Sequence, residues 1–221
     1  MFNALLIPVM VIIASHHVQT ETKLDLFSDD DKVGVGTYKE SVDHKGHRTC
    51  EFHMWSKPDS DTKVSVYQVK VIDAQAFPIR EEEVIVQVEG STRKELTISV
   101  RYDSSGAARV IETKGKKKTT ERIFMPIPGL SRADASDLWF SKTIPLPGTT
   151  VSSTVFDIEN LVWRRVETTY VGKRWITVGG RRVESNEIRD VRDSNTRMVY
   201  LDDHGQPLLM KKGSNRTEKH F

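Results

Sequence analysis

The sequence predicts a mainly β fold: a curved antiparallel sheet that forms an open, half-closed barrel, with one short helix. Three observations predict it. From about Val33 onwards, short segments alternate between apolar and polar residues, as strands with one buried and one wet face do. Turn-forming Gly, Asp and Pro residues separate these segments. Helical signal is confined to one short segment between two proline-bearing stretches.

The clearest strand covers residues 96–102, where Leu96, Ile98 and Val100 alternate with polar residues. Alternation of this kind places the apolar side chains on one face of a sheet. Residues 84–88 repeat the pattern with three valines. Further strands are predicted at residues 33–41, 48–55, 63–72, 108–113, 121–125, 151–156, 162–171, 174–178, 183–189, 197–201 and 207–211. Gly172-Lys173 and Gly179-Gly180 are predicted to form hairpin turns within this series.

The short helix is predicted over residues 131–139, with Ser131 as its N-cap. It lies between the segments 126–129 and 145–148, each of which holds two prolines and a glycine. Because prolines interrupt strand pairing, this stretch predicts a crossover between two β-rich halves, at about residues 33–125 and 142–221.

Two turns in these halves are alike. Asp103 is followed three residues later by Gly106, and Asp202 is followed by Gly205 in the same way. The aspartate can accept hydrogen bonds from turn amides, and the glycine can adopt the positive φ that a tight turn requires. The likeness fits two related half-sheets that arose by duplication, and it equally fits independent use of a common hairpin turn.

The N-terminal segment 4–14 is uncharged and apolar. It is shorter than the ~20 residues that a membrane-spanning helix needs, and its length matches the core of a signal peptide. The sequence therefore predicts a signal peptide over residues 1–20, cleaved between about residues 15 and 21. The alternative is a buried N-terminal strand or helix. Residues 21–32 are predicted to be a flexible acidic segment, and residues 33–221 a single β-rich domain.

Cys50 is the one cysteine of the chain. An internal disulfide framework is therefore excluded, and no lipid-bearing cysteine follows the leader. These features predict a soluble periplasmic or secreted protein that is not lipid-anchored. The net charge of +2 gives no general attraction to nucleic acid, and the lysine-rich segment 114–118 is predicted to be a solvated hairpin tip.

The sequence offers weak candidates for catalysis or metal binding. Cys50 and His53 are three residues apart, so on a strand they face opposite sides of the sheet. His44 and His47 lie in a turn-like segment, and no second ligand cluster accompanies them. The carboxylates of Asp202 and Asp203 belong to a turn. We therefore predict a protein that is not an enzyme and has no catalytic residues, metal site or cofactor.

Aromatic residues are the remaining candidates for a site. A sheet that curves without closing leaves a concave apolar face that suits an acyl chain. The alternative for each aromatic residue is a place in the core. Trp139 and Phe140 lie in the crossover, where they could cover such a face. The residues predicted to line a ligand site are Trp139, Phe140, Trp163, Tyr170 and Trp175.

Residues 166–172, 178–184 and 200–208 resemble uncharacterised bacterial envelope proteins that are similar to the open-barrel lipoprotein carriers of the periplasm. The resemblance is clearest over residues 140–221. It implies a curved antiparallel sheet that holds acyl chains under a helical lid. The matching segments consist mainly of turn residues and contain no signature for handling a lipidated protein.

The sequence thus predicts an exported, non-catalytic binding protein for a lipid or another apolar or amphiphilic ligand of the cell envelope. The expected partners are a lipid or apolar small molecule and, as a second candidate, an envelope protein; nucleic acid is not expected. The alternative function is a structural or adaptor module that docks a protein partner through the edges of its sheet.

Overall fold

The computed structural model describes residues 19–57, 59–115, 117–141, 143–193 and 195–221. The apolar segment 4–14, on which the signal-peptide prediction rests, lies outside these residues. Within them the chain forms fourteen strands and one short helix. The elements are β1 (Gln19–Ser28), β2 (Asp31–Val42), β3 (Arg48–Ser56), β4 (Thr62–Ile72), β5 (Pro78–Glu89), β6 (Thr92–Tyr102), β7 (Ala108–Lys114), β8 (Lys117–Phe124), α1 (Ala135–Ser141), β9 (Thr150–Asp157), β10 (Val162–Val178), β11 (Arg181–Arg192), β12 (Asn195–Leu201), β13 (Pro207–Lys212) and β14 (Asn215–Lys219).

All fourteen strands belong to one antiparallel sheet, in the order β8-β7-β6-β5-β4-β3-β2-β1-β14-β13-β12-β11-β10-β9. The first and last of the described strands, β1 and β14, pair with each other in the middle of the sheet, with Leu24 opposite Lys219. The edges of the sheet are β8 and β9, and residues 125–149 connect them. The predicted open, curved antiparallel sheet with a helix in the crossover is confirmed.

The prediction of a flexible acidic segment over residues 21–32 is wrong. This segment forms most of β1 and the start of β2, and β1 pairs with both β2 and β14. Thr22, Leu24 and Leu26 are buried on one face of β1, while Glu21 is exposed on the other. The acidic residues therefore occupy the wet face of a strand, where their charge does not oppose strand formation.

The same Asp-based turn joins four pairs of strands. In each turn one carboxylate oxygen accepts hydrogen bonds from the amides two and four residues later, as Asp103 Oδ1 does from Ser105 N at 2.8 Å and Ala107 N at 3.0 Å. The turns begin at Asp43, Asp73, Asp103 and Asp202, and the first three follow one another at intervals of 30 residues. The turn therefore recurs within the first half of the chain as well as between the halves.

These four turns lie at one end of the sheet, which we call the turn end. The strands that lead into them are β2, β4, β6 and β12, and their positions in the antiparallel order make them run in the same direction. The third residue after each aspartate has positive φ, which is +80° at Gly205. Ala76 takes this position in the second turn with φ +63°, a conformation that costs a non-glycine residue about 1 kcal/mol or more.

The crossover lies across the turn end. Asp134 N donates to Ala76 O at 3.3 Å, and Ser131 O accepts from Thr154 N at 2.7 Å. Phe140 lies against Gly205, where an added Cβ would come within 2.9 Å of Phe140 Cβ. These contacts fix the crossover to turns from both halves of the chain.

The helix begins later than residue 131, where the sequence prediction placed its start. Asp134 caps α1, because its Oδ1 accepts from Ser136 N at 3.1 Å, whereas Ser131 Oγ accepts from Ala133 N in the preceding turn. The aspartate leaves the serine free to join the bridge to β9 at Ser153. Among the described residues, none of the helical structure is long and apolar enough to pass through a bilayer.

The two edges of the sheet meet through side chains. Phe156 of β9 and Trp163 of β10 are buried against Ile98, Val100 and Val110 of the first half. The rings of Phe156 and Trp163 have centroids 5.5 Å apart. Trp163 Nε1 also donates to Phe124 O of the opposite edge strand at 3.0 Å. The sheet is therefore rolled into a barrel-like form whose seam is packed at this point by apolar side chains.

Candidate ligand-binding cavity

The rolled sheet and the crossover form an open cavity of about 490 Å³. One wall is the face of β2–β5 that carries Tyr38, Cys50, Lys70 and Glu81. We call this face, together with the same face of β6, the concave face. The other wall comes from the crossover and from the ends of β9–β10, β11–β12 and β13. Its charged residues are Arg132, Asp134, Asp157, Glu159, Arg164, Arg192, Asp193, Arg197 and Lys212. A volume of this size lies in the usual range for small-molecule sites.

Strand register arranges the concave face in layers. Cys50, Lys70 and Glu81 lie opposite one another on β3, β4 and β5 and form a polar layer. Two residues further from the turn end, Phe52 lies opposite Gln68. Because side chains alternate between faces, these residues all point to the same side of the sheet.

The next layer of the concave face is apolar. Met54, Val66, Ile85 and Leu96 lie opposite one another on four successive strands. Each of these side chains is only half-buried. The concave face thus changes from charged to apolar away from the turn end, with Phe52 at the boundary.

Several charged groups of the cavity form ion pairs. Lys70 Nζ lies 3.6 Å from Asp134 Oδ2, and Arg164 Nε lies 2.6 Å from Asp157 Oδ2. Burial opposes ionisation of Asp134, yet Lys70 and a hydrogen bond from Ser136 hold the pKa of this carboxyl well below its usual range. These pairs form a network of opposite charges in the wall of the cavity.

Two glutamates of the concave face have raised pKa values. Burial raises the pKa of Glu81, although Lys70 and a hydrogen bond from Tyr102 lower it in part. Burial also raises the pKa of Glu83, whose Oε2 accepts from Gln68 and whose buried Oε1 has no hydrogen-bond partner among the described residues. Both carboxyls therefore take up a proton at a higher pH than exposed glutamates do.

The structure does not assemble the five aromatic residues predicted from the sequence into one pocket, and none of them lines the cavity. Trp139 and Tyr170 are buried in one cluster with Phe140 at its margin. Trp163 is buried in the separate seam cluster. Trp175 is 57 % exposed and lies under the guanidinium of Arg182.

Two lining residues of the cavity occupy alternate positions of β4, and this pattern is visible in the sequence. Lys70 and Gln68 lie two and four residues before the buried Ile72 on β4. Because side chains alternate between the faces of a strand, both face inward with Ile72. Charged or amide side chains at inward positions of several adjacent strands indicate a polar interior. The second wall could not be found in this way, because it depends on how the sheet rolls.

The structure separates Cys50 from His53, as their spacing predicts. Cys50 lines the cavity, and its Sγ accepts from Tyr38 Oη at 3.5 Å. His53 is on the convex face, 3.1 Å from Ser65 Oγ, with its ring 3.7 Å from that of Trp55. His47 Nδ1 lies 3.4 Å from Asp43 Oδ2 of its own turn. Over the described part of the chain, the His, Cys, Asp and Glu side chains form no group of three that could hold a metal ion.

Comparison with known proteins adds information on the fold. No family model matches the chain, and no curated protein matches it. A solved structure that does match is a β-barrel-like protein of the domain of unknown function DUF1849 from Brucella abortus. The match has a TM-score of 0.54 at 10 % sequence identity and covers 91 % of this chain and 93 % of that one. The chain thus shares a barrel-like fold with that protein.

Proposed function

We propose that this protein is a non-catalytic binding protein for an amphiphilic small molecule, which it holds in the cavity of the rolled sheet. The observation that carries the proposal is the change along the concave face from a charged layer to a half-buried apolar layer. A ligand with a polar group and a hydrocarbon chain matches this change in polarity.

The apolar layer supports the hydrocarbon part of the ligand. Met54, Val66 and Ile85 face inward yet remain half-buried, in contrast to Ile98 and Val100 of the same face, which the seam covers. Each methylene group that a ligand buries on such a surface contributes about 0.8 kcal/mol. The layer starts beside Phe52, which already lines the cavity, so one ligand can contact both regions.

The proposed location is the cell envelope or the exterior. Its support is the uncharged segment 4–14, which matches a signal-peptide core, together with the resemblance to the open-barrel carriers of the periplasm. Those carriers also hold acyl chains on a curved sheet, which agrees with the amphiphilic ligand proposed here.

Displacement of a dansyl-labelled undecanoic acid by lauric acid tests the function. We expect saturable binding of the probe to the wild-type protein. Binding to Ile85→Glu should be at least about tenfold weaker, because a carboxylate in the apolar layer makes the binding free energy less favourable by roughly 1.5 kcal/mol or more. Native mass spectrometry of the freshly purified protein should show an added mass that solvent extraction releases.

Val84→Glu is the matched control, because Val84 is the neighbouring half-buried residue on the opposite face of β5. It should bind the probe as the wild type does. Equal weakening by both substitutions, or no binding by the folded wild-type protein, would contradict the proposal.

A docking module is the second candidate function. It is favoured by the edge strand β8 and the residue that follows it, where Ile123 is 58 % and Met125 65 % exposed. An edge strand with exposed apolar side chains can accept a strand from a partner protein. Absence of ligand binding in the displacement assay would favour this function.

A further inference from the structure

Arg192 is a cationic residue of the cavity wall with a buried donor that has no partner among the described residues. It lies on the inward face of β11 at the end of the strand, and it lines the cavity. Its Nε is buried, and no hydrogen-bond acceptor among the described residues reaches it. A buried donor without a partner costs about 1–3 kcal/mol, and more when it is charged.

The carboxylates around Arg192 already accept hydrogen bonds from other residues. Asp190 accepts from Arg197 Nε at 3.1 Å and from Thr168 Oγ1 at 2.9 Å. Asp157 is bonded to Arg164 and Asn160, and Asp134 to Lys70 and Ser136. These acidic groups also attract Arg192 electrostatically.

The electrostatic environment also leaves the charge of Arg192 incompletely balanced. Burial and the neighbouring Arg197 lower its pKa, while Asp190, Asp134 and Asp157 offset part of this effect. Glu81 lies nearby, and burial raises the pKa of this carboxyl. An anion that enters the cavity beside Arg192 would meet a guanidinium whose charge the protein balances only in part.

We propose that the cavity holds the anionic head group of its ligand, a carboxylate or a phosphate, at Arg192. This inference rests on the proposed function and specifies the class of ligand: an anionic amphiphile whose chain runs along Met54, Val66 and Ile85. A guanidinium is suited to either anion, since its planar N–H donors match two oxygens of the same group.

The test compares decanoic acid with decanol by isothermal titration calorimetry at neutral pH. The wild-type protein should bind the acid more tightly than the alcohol. Arg192→Met should weaken acid binding about tenfold or more, the effect of a lost hydrogen bond between charged groups, and leave alcohol binding unchanged. Arg189→Met is the matched control, because Arg189 is exposed on the opposite face of the same strand, and it should change neither affinity.

Equal binding of acid and alcohol, or equal weakening of both by Arg192→Met, would overturn the anion site and leave the proposed function intact. Binding of neither compound would contradict the proposed function. In that case thermal stabilisation by inorganic phosphate or acetate, present in the wild type and lost in Arg192→Met, would support Arg192 as a site for a free anion. No stabilisation by either ion would overturn the anion site as well.

Discussion

Replacement of Trp163 by alanine should lower the free energy of unfolding by about 3–5 kcal/mol, as loss of a large buried aromatic side chain does. Trp163 is only 8 % exposed and packs across the seam between the two edges of the sheet. The substitution removes this packing and the hydrogen bond from the indole to Phe124 O. Urea denaturation followed by circular dichroism measures the effect.

Two further variants separate the contributions. Trp163→Phe keeps a ring in the seam and loses the indole donor, so it should cost less, with about 1 kcal/mol from the hydrogen bond. Trp175→Ala removes the same side chain from an exposed position and should change stability by less than about 1 kcal/mol. Equal losses for Trp163→Ala and Trp175→Ala would show that the seam does not hold the barrel together.

Asp190→Asn should destabilise the protein by about 3 kcal/mol, because it leaves the guanidinium of Arg197 without the charge it faces. The Asp190 side chain is 5 % exposed and its carboxylate also accepts from Thr168. The amide has almost the same shape as the carboxylate, so the substitution keeps the packing. The change in stability therefore measures the effect of the charge on Asp190. Thermal unfolding and urea denaturation measure the loss.

Glu184→Gln provides the comparison. Glu184 pairs with Lys173 at 3.0 Å, and both side chains are more than two-fifths exposed. Exposed pairs of this kind contribute at most about 1 kcal/mol, so this variant should remain close to the wild type in stability. A loss in Asp190→Asn no larger than that in Glu184→Gln would show that the cavity network is screened by solvent.

Much of the strand pattern follows from alternation alone. Residues 96–102 were predicted as a strand and lie within β6, because every second side chain there is apolar and faces inward. Gly172 was predicted to form a hairpin, which is wrong: β10 continues through it from Val162 to Val178, with a shift in register between Tyr170 and Gly172. A glycine in an irregular strand position and a glycine in a turn look alike in sequence.

The candidate site was harder to predict, for a physical reason. The sequence places Lys70 and Glu81 on inward positions of their strands. The groups they face across the cavity are Asp134 of the crossover and, for Glu81, also Arg192 of β11. Which residues meet across the cavity depends on register and on the roll of the sheet, which periodicity does not encode. The aromatic residues were assigned to a ligand because their chemistry suits one, whereas Trp139, Trp163 and Tyr170 are buried in two separate clusters.

Nuclear magnetic resonance with spin-labelled stearic acids tests directly whether the cavity binds an amphiphile with its head group at Arg192. With the nitroxide near the methyl end, signals of Met54 and Ile85 should broaden, and with the nitroxide near the carboxyl end, those of Arg192 should broaden instead. This result would place an amphiphile in the cavity with its head group at the charged wall. Broadening confined to the convex face near Trp55, or to the exposed Trp175, would contradict the account.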